Sequence, residues 1–289
     1  MTQYALENSQ NNSWWLEKLL EQDLAPSTVK ALLSDLRHFK KWYETMNGEA
    51  LRLEQILPMD VIDYKNQYLT SHKPSTINRR LATLKMLFKI AQEEQPELKD
   101  PTRKVKSLPL QSLAPRSLTE QDTRKLLKEL ELRGSLRDKV IICLMLFGGL
   151  RASEVMALRL EDIEMSPKKG IVNIRASKGN KFRIVPLSLK IRPILSEYIE
   201  RVDGPKLLHG QRGPLKSTVT INKVVDKYAN HAQVKCSPHC LRHTFAYRYL
   251  QRHPGDLVGL AQLLGHSNLN TTTGYTQNRL QDLQNKVEH

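Results

Sequence analysis

The chain has 289 residues, of which 39% are hydrophobic, and this is enough for two globular domains with separate cores. Its 45 lysines and arginines outnumber 30 acidic residues, so the net charge of +15 predicts a polyanionic partner. The longest apolar run, Val140 to Phe147, is far below the ~20 residues that cross a bilayer, and the amino terminus lacks a secretory signal. With only 3 cysteines a disulfide framework is not expected, so we expect a cytoplasmic protein without a membrane partner.

The first hundred residues show the apolar spacing of a small helical domain. Helices are predicted over about residues 13–22 and 59–70. Further apolar stripes follow Ser27 and Ser75, and each serine is predicted to be the N-cap of a helix. Residues 1–107 are therefore predicted to form a small helical domain.

The helix after Ser75 has an almost purely cationic polar face. Because no acidic residues are interleaved with the basic ones, contact with phosphate groups is favoured over a merely solvated face. The candidate DNA-phosphate contacts are Arg79, Arg80, Lys85 and Lys89.

A segment without periodicity separates this domain from the next. Residues 108–116 contain two prolines and polar spacers, and they are predicted to be an extended linker. Ser117 and Glu120 have the spacing of a capping box ahead of an apolar helix. A second domain is therefore predicted over residues 117–289.

The second domain is predicted to be mixed, with helices and a small β-sheet. A buried helix breaks at the pair Gly148 and Gly149, and a new helix opens near Arg151. Alternating residues in "GIVNIRASKGNKFRIVPL" predict a β-hairpin with Lys178 and Lys181 at or beside its turn. The remainder is predicted to be helical, so the expected fold class is mainly α with a small β-sheet.

The stretch "SPHCLRHTFA" is predicted to be a helix with Ser237 as its N-cap. His239 and Arg242, three residues apart, project together near a helix amino terminus, where an anion is favoured. A capping or core histidine is the plainer alternative for His239 alone. A zinc site is disfavoured, because structural zinc usually draws its ligands from two segments and these lie within eight residues. The zinc ligands would be Cys236, His239, Cys240 and His243.

Four segments resemble, in order and spacing, the catalytic motifs of the tyrosine recombinase (phage integrase-like) family. They are "GGLRASEV", "ASKGNKFRIVPL", "HCLRHTFA" and "LLGHSNLNTTTGYT". The resemblance covers nearly the whole chain, since that family also pairs a helical core-binding (DNA-gripping) domain with a mixed catalytic domain. It therefore implies a core-binding role for residues 1–107 and a catalytic role for residues 117–289. It departs at Ser177, where a glycine commonly precedes the lysine. Carried over by position, the resemblance implies catalytic roles for Arg151, Lys178, His239, Arg242, His266 and Tyr275, and a supporting role for Glu154.

The resemblance implies attack by Tyr275 on a DNA phosphodiester. Planar arginines at 151 and 242 match the charge that builds on the nonbridging oxygens. His239 is the expected base for the tyrosine, and Lys178, ahead of Lys181 by motif position, is the expected acid for the leaving oxygen. Neither ATP nor a metal ion is required, because the covalent intermediate retains the bond energy.

The implied function is site-specific recombination of double-stranded DNA by a homotetramer, through a 3′-phosphotyrosyl link and a Holliday junction. A Xer-like or transposon-borne resolvase is expected, which would act on the nucleoid to resolve replicon dimers or cointegrates, with possible accessory proteins or accessory DNA sites. The alternatives are a type IB topoisomerase-like enzyme and a non-catalytic DNA-binding regulator. Beyond the tyrosine, a stripe of Leu280, Leu283 and Val287 predicts a carboxy-terminal helix that docks on a neighbouring protomer.

Overall fold

The computed structural model describes residues 14–67, 71–110, 117–166, 168–175, 182–210, 213–215, 217–266 and 272. The chain divides into two compact units, Met1–Ser112 and Leu113–His289. Two of the predicted catalytic residues, Lys178 and Tyr275, and the predicted carboxy-terminal stripe lie outside the described residues. No helix in the ranges given above is both long and apolar enough to cross a membrane.

The first unit is helical and has its own apolar core. A buried aromatic cluster at its centre includes Phe39, Trp42 and Tyr64, with the rings of Phe39 and Tyr64 4.9 Å apart and nearly perpendicular. Its helices are α1 Trp14–Glu21, α2 Pro26–Asn47, α3 Pro58–Gln67 and α4 Pro74–Glu94.

Two helices of the first unit begin earlier than predicted. The N-cap of α2 is Ala25 and that of α4 is Lys73, and neither cap makes a side-chain hydrogen bond. A proline follows each cap, and its fixed φ suits the first helical position. The prediction of Ser27 and Ser75 as N-caps is therefore wrong by two residues.

The cationic face of α4 has an acidic partner that its own sequence does not show. Asp35 of α2 is 4% exposed and forms ion pairs with Arg79 and, at 3.7 Å from Nε, with Arg80. The hydroxyl of Thr83 also donates to Asp35 Oδ2 at 3.1 Å. The acid comes from a neighbouring helix, so the absence of interleaved acids in the α4 sequence did not reveal it, and phosphate contact by these residues stays a prediction.

The second unit packs helices around α6, whose residues are almost all buried. Helix α6 contacts α10 on one side and α8 on another. The prediction of a mainly helical fold with a small β-sheet is confirmed. The elements are α5 Glu120–Arg133, α6 Leu136–Gly148, α7 Ala152–Ala157, β1 Ile163–Met165, β2 Gly170–Ile174, β3 Arg183–Pro186, α8 Arg192–Ile199, β4 His209–Gly210, β5 Gly213–Pro214, α9 Thr218–His231, α10 Pro238–Arg252 and α11 Leu257–Leu264.

The strands form two small antiparallel sheets. The predicted hairpin is observed as β2 and β3, paired from Ile174 with Arg183 to Ile171 with Pro186, and β1 extends this sheet on the other edge of β2. The pair β4 and β5 corrects the expectation that the remainder is helical, since two-residue strands are too short to show an alternating pattern.

The second unit also corrects one predicted cap. Thr119, not Ser117, is the N-cap of α5, and its side chain accepts a hydrogen bond from the backbone N–H of Asp122. The capping-box spacing was therefore placed two residues too early, and the helix begins at Glu120.

Candidate active site

The Gly149 break places Arg151 at the start of a helix. Gly149 is the C-cap of helix α6, and its φ of 67° is a left-handed conformation that favours glycine. The backbone N–H of Arg151 then donates to Glu154 Oε2, and its Nη1 donates to Oε1, both at 2.8 Å. The side chain of Arg151 remains 34% exposed, so its guanidinium is held in place and also faces solvent.

Glu154 is a buried carboxylate at the centre of three arginines. The two Nη atoms of Arg183 donate to its two oxygens at 2.8 Å each, and Arg242 Nη1 lies 3.8 Å from Oε2. Burial by itself raises the pKa of this carboxyl group, but the hydrogen bonds and charges of Arg183 and Arg151 outweigh burial and hold the pKa at about 2. Glu154 is therefore ionised throughout the working pH range.

Arg242 is almost completely buried and bonds to the ends of two helices. It projects from α10 and is 1% exposed. Its Nη1 donates to the carbonyl oxygen of Gly149 at 2.6 Å, and its Nη2 donates to that of Leu264 at 2.6 Å. Carbonyl groups at helix carboxyl ends carry partial negative charge and need donors. The guanidinium therefore joins α6, α10 and α11 at one point.

His266 is fixed between Arg242 and Thr272. Its Nε2 lies 3.2 Å from Arg242 Nη2, and its Nδ1 lies 2.9 Å from the hydroxyl of Thr272. Burial, followed by the charges of Arg242, Arg151 and Arg183, lowers the pKa of His266 to about 4. The ring is therefore neutral at pH 7, and because a guanidinium can only donate, Nε2 is the acceptor and Nδ1 carries the proton.

His239 and His243 lie one turn apart on α10. Ser237 caps this helix as predicted, by accepting from the N–H of Cys240, and the two imidazole rings are 4.1 Å apart. Burial and the charges of Arg242 and Arg151 lower the pKa of His239, and burial and nearby positive charges lower the pKa of His243 to about 4. Both rings are neutral at pH 7, so His239 can accept a proton.

A cavity of about 420 Å³ opens beside the first turn of α10. It is lined by Lys235, Cys236, Ser237, His239, Cys240 and His243. No group of three or more His, Cys, Asp and Glu side chains within the described ranges could hold a metal ion.

The structure brings Arg151, Glu154, Arg242 and His266 into one hydrogen-bonded cluster. His239 joins them through its electrostatic coupling to the arginines. Lys178 and Tyr275 fall outside the described residues, so their catalytic roles stay predictions.

Sequence reasoning missed two residues of this cluster, Arg183 and Thr272. A signal for Arg183 was present, because alternation along β3 places it on the inward side with Val185, where a charged residue needs a buried partner. Thr272 had no comparable signal, since nothing in the sequence pairs its hydroxyl with the imidazole of His266.

The matching family models and the named relatives show that the chain is a tyrosine recombinase, a DNA strand-exchanging enzyme. The chain belongs to the phage integrase family of tyrosine recombinases. Residues 116–282 match the model of the phage integrase family, and residues 13–95 match that of the phage integrase N-terminal SAM-like domain.

Similar proteins include named tyrosine recombinases. The chain is 32% identical to tyrosine recombinase XerD of Ralstonia nicotianae, over 89% of this chain and 85% of that protein. It is also 32% identical to tyrosine recombinase XerC of Thermodesulfovibrio yellowstonii, over 98% of this chain and 94% of that protein.

Two solved structures share the fold. The XerH site-specific recombinase, bound to palindromic difH substrate in a post-cleavage complex, superposes with a TM-score of 0.72 at 23% identity, covering 86% of this chain and 76% of that chain. A lambda integrase tetramer bound to a Holliday junction gives a TM-score of 0.74 at 16% identity, covering 90% of this chain and 76% of that chain.

Proposed function

We propose that this recombinase cleaves and rejoins DNA through a 3′-phosphotyrosyl intermediate on Tyr275. The observation that carries the proposal is the convergence of Arg151 and Arg242 on one carboxylate, beside histidines that are neutral at pH 7. Planar guanidinium groups suit the two nonbridging oxygens of a phosphodiester, whose negative charge grows in the transition state.

In the proposed reaction, the hydroxyl oxygen of Tyr275 forms a bond to phosphorus while the bond from phosphorus to the 5′ oxygen breaks. His239 takes the tyrosine proton, which its lowered pKa allows because the ring is uncharged beforehand. Lys178 gives a proton to the leaving 5′ oxygen. Rejoining reverses these steps, and no ATP or metal ion enters the balance.

The test uses the wild-type protein and Tyr275→Phe with suicide substrates nicked near candidate sites. The DNA comes from the protein's own genetic neighbourhood, divalent metal is left out, and adducts are sought on a denaturing gel. The proposal predicts an adduct with wild type only, attached at a 3′ end. Specific binding without an adduct on any substrate would refute the proposal and favour the regulator alternative.

We further propose that the active assembly is a homotetramer on a Holliday junction, acting in replicon-dimer or cointegrate resolution. Support comes from the lambda integrase tetramer described on such a junction and from the XerD and XerC relatives. A synaptic complex of two duplexes, seen by light scattering with Tyr275→Phe and DNA, is the expected result. Relaxation of one supercoiled duplex by a monomer, without synapsis, would favour the topoisomerase-like alternative.

A further inference from the structure

Arg183 is a buried cation to which the proposed reaction assigns no role. It is the first residue of β3 and is 8% exposed. Alternation along the strand turns Arg183 and Val185 inward, whereas the flanking Phe182 and Ile184 are exposed. Because an isolated buried charge is costly, the side chain must be paired with an opposite charge and with hydrogen-bond acceptors.

The guanidinium of Arg183 contacts both α7 and the end of α11. Its two Nη atoms bind Glu154 at 2.8 Å each, and its Nε donates to the carbonyl oxygen of Leu263 at 2.8 Å. Gly265 leaves the necessary space, since a Cβ there would lie 2.8 Å from Arg183 Nη1. Leu263 and Gly265 lie in the segment that leads directly into His266, so one side chain holds both the carboxylate and this segment.

The charges around Glu154 give this arrangement a further consequence. The carboxylate faces Arg151 from the start of α7, Arg183 from β3 and Arg242 from α10. A bound phosphodiester would compete with Glu154 for Arg151 and Arg242. Because Arg183 pairs with the carboxylate through two parallel hydrogen bonds, it offsets most of the negative charge of Glu154. The positive charges of Arg151 and Arg242 are then largely uncompensated.

We propose that Arg183 is a positioning residue for strand cleavage. It neutralises Glu154 so that Arg151 and Arg242 keep their charge for the phosphate, and it fixes the chain that presents His266. This inference rests on the proposed function, since that function gives the two arginines their role.

The test compares five variants: Arg183→Met, Arg183→Lys, Glu154→Gln, the double variant that combines Arg183→Met with Glu154→Gln, and the control Arg175→Met. Arg175 lies just beyond β2 of the same sheet and pairs with the carboxylates of Glu161 and Asp162, not with that of Glu154. Adduct formation on a nicked substrate is measured at saturating protein and divided by the folded fraction from circular dichroism.

Arg183→Met is expected to slow adduct formation by about 100-fold, the size of effect that a small misplacement of reacting groups produces. The double variant should form the adduct at least about tenfold faster than Arg183→Met, because the uncharged amide that replaces the Glu154 carboxylate no longer competes with the phosphate. The control should stay within about twofold of wild type. Arg183→Lys keeps the charge without the paired hydrogen bonds, so its rate of adduct formation should lie between those of wild type and Arg183→Met. It replaces Arg183→Met in the test if the methionine variant does not fold.

The pH dependence separates positioning from a purely structural role. Loss of Arg183 removes the largest of the interactions that oppose the effect of burial, so the pKa of Glu154 rises toward the assay range. Protonation then removes the competing charge, and the rate of Arg183→Met relative to wild type should increase as the pH falls from about 8 to about 5. In the double variant the same ratio should not change with pH.

A double variant as slow as Arg183→Met, with a pH-independent ratio for both, would overturn the inference and leave Arg183 a purely structural residue. Absence of a wild-type adduct on specifically bound DNA would refute the proposed function instead. Urea unfolding of the same proteins still tests the pairing in that case, because Glu154→Gln should restore stability to Arg183→Met if the carboxylate is its partner.

Discussion

Gly149 offers a sharp test of how the backbone supports the arginine site. Its φ of 67° places it in the left-handed region, and a Cβ at this position would lie 2.5 Å from Cδ1 of Phe245. The left-handed conformation costs a residue with a Cβ about 1–2 kcal/mol. Displacement of a packed ring costs roughly 1–3 kcal/mol more. Gly149→Ala should therefore lower the free energy of unfolding of the second unit by about 2–5 kcal/mol.

The matched control is Gly255→Ala in the same unit. Gly255 also has a positive φ, of 84°, but an added Cβ would meet nothing within 4 Å, so only the backbone cost of about 1–2 kcal/mol applies. Urea unfolding followed by circular dichroism measures both variants. Since the Gly149 carbonyl accepts from Arg242, adduct formation should also fall in Gly149→Ala but not in Gly255→Ala. Equal destabilisation of the two variants within about 0.5 kcal/mol would refute the packing argument.

Two further predictions concern charge. The pKa of His266 is about 4 when folded against 6.5 otherwise, so the unfolded chain binds more protons between these values and stability falls as the pH drops through them, by up to about 3 kcal/mol. Urea unfolding at several pH values should show this loss, and His266→Asn should show less of it; an unchanged profile would contradict the assignment. Asp35→Asn should destabilise the first unit by about 2 kcal/mol yet tighten DNA binding, because it releases the charge of Arg79. Weaker binding in fluorescence anisotropy at several salt concentrations would exclude phosphate contact by Arg79.

Local sequence was sufficient to predict the framework of the site. The break at Gly149, the helix after Arg151 and the cap at Ser237 depend on contacts within four residues, so their signals lie close together in the chain. The start of α2 was predicted two residues too late. Pro26 and Ser27 are adjacent and each is typical of a helix start, and in the structure Pro26 takes the first helical position.

The burial of Arg242 could not be predicted in the same way. Its carbonyl partners, Gly149 and Leu264, are 93 and 22 residues away in the chain, and they meet the guanidinium only after α6 and α11 pack on α10. From its position near a helix amino terminus, Arg242 was predicted to face an anion. The structure instead holds it by neutral carbonyl groups, with the carboxylate of Glu154 at 3.8 Å, beyond ordinary hydrogen-bond distance.

This mode of anchoring suits the phosphate-binding role proposed for Arg242. A guanidinium has five N–H donors, so bonds to carbonyl oxygens can persist while other donors turn to a ligand. Carbonyl groups fix its position without cancelling its charge, whereas a directly paired carboxylate would compete with the phosphate. In this chain Arg183 and Arg151 pair directly with Glu154, whereas Arg242 remains at 3.8 Å from the carboxylate. The long-range contacts that sequence reasoning missed are therefore those that keep positive charge available at the site, and they make preorganised electrostatics the main physical basis of the proposed cleavage.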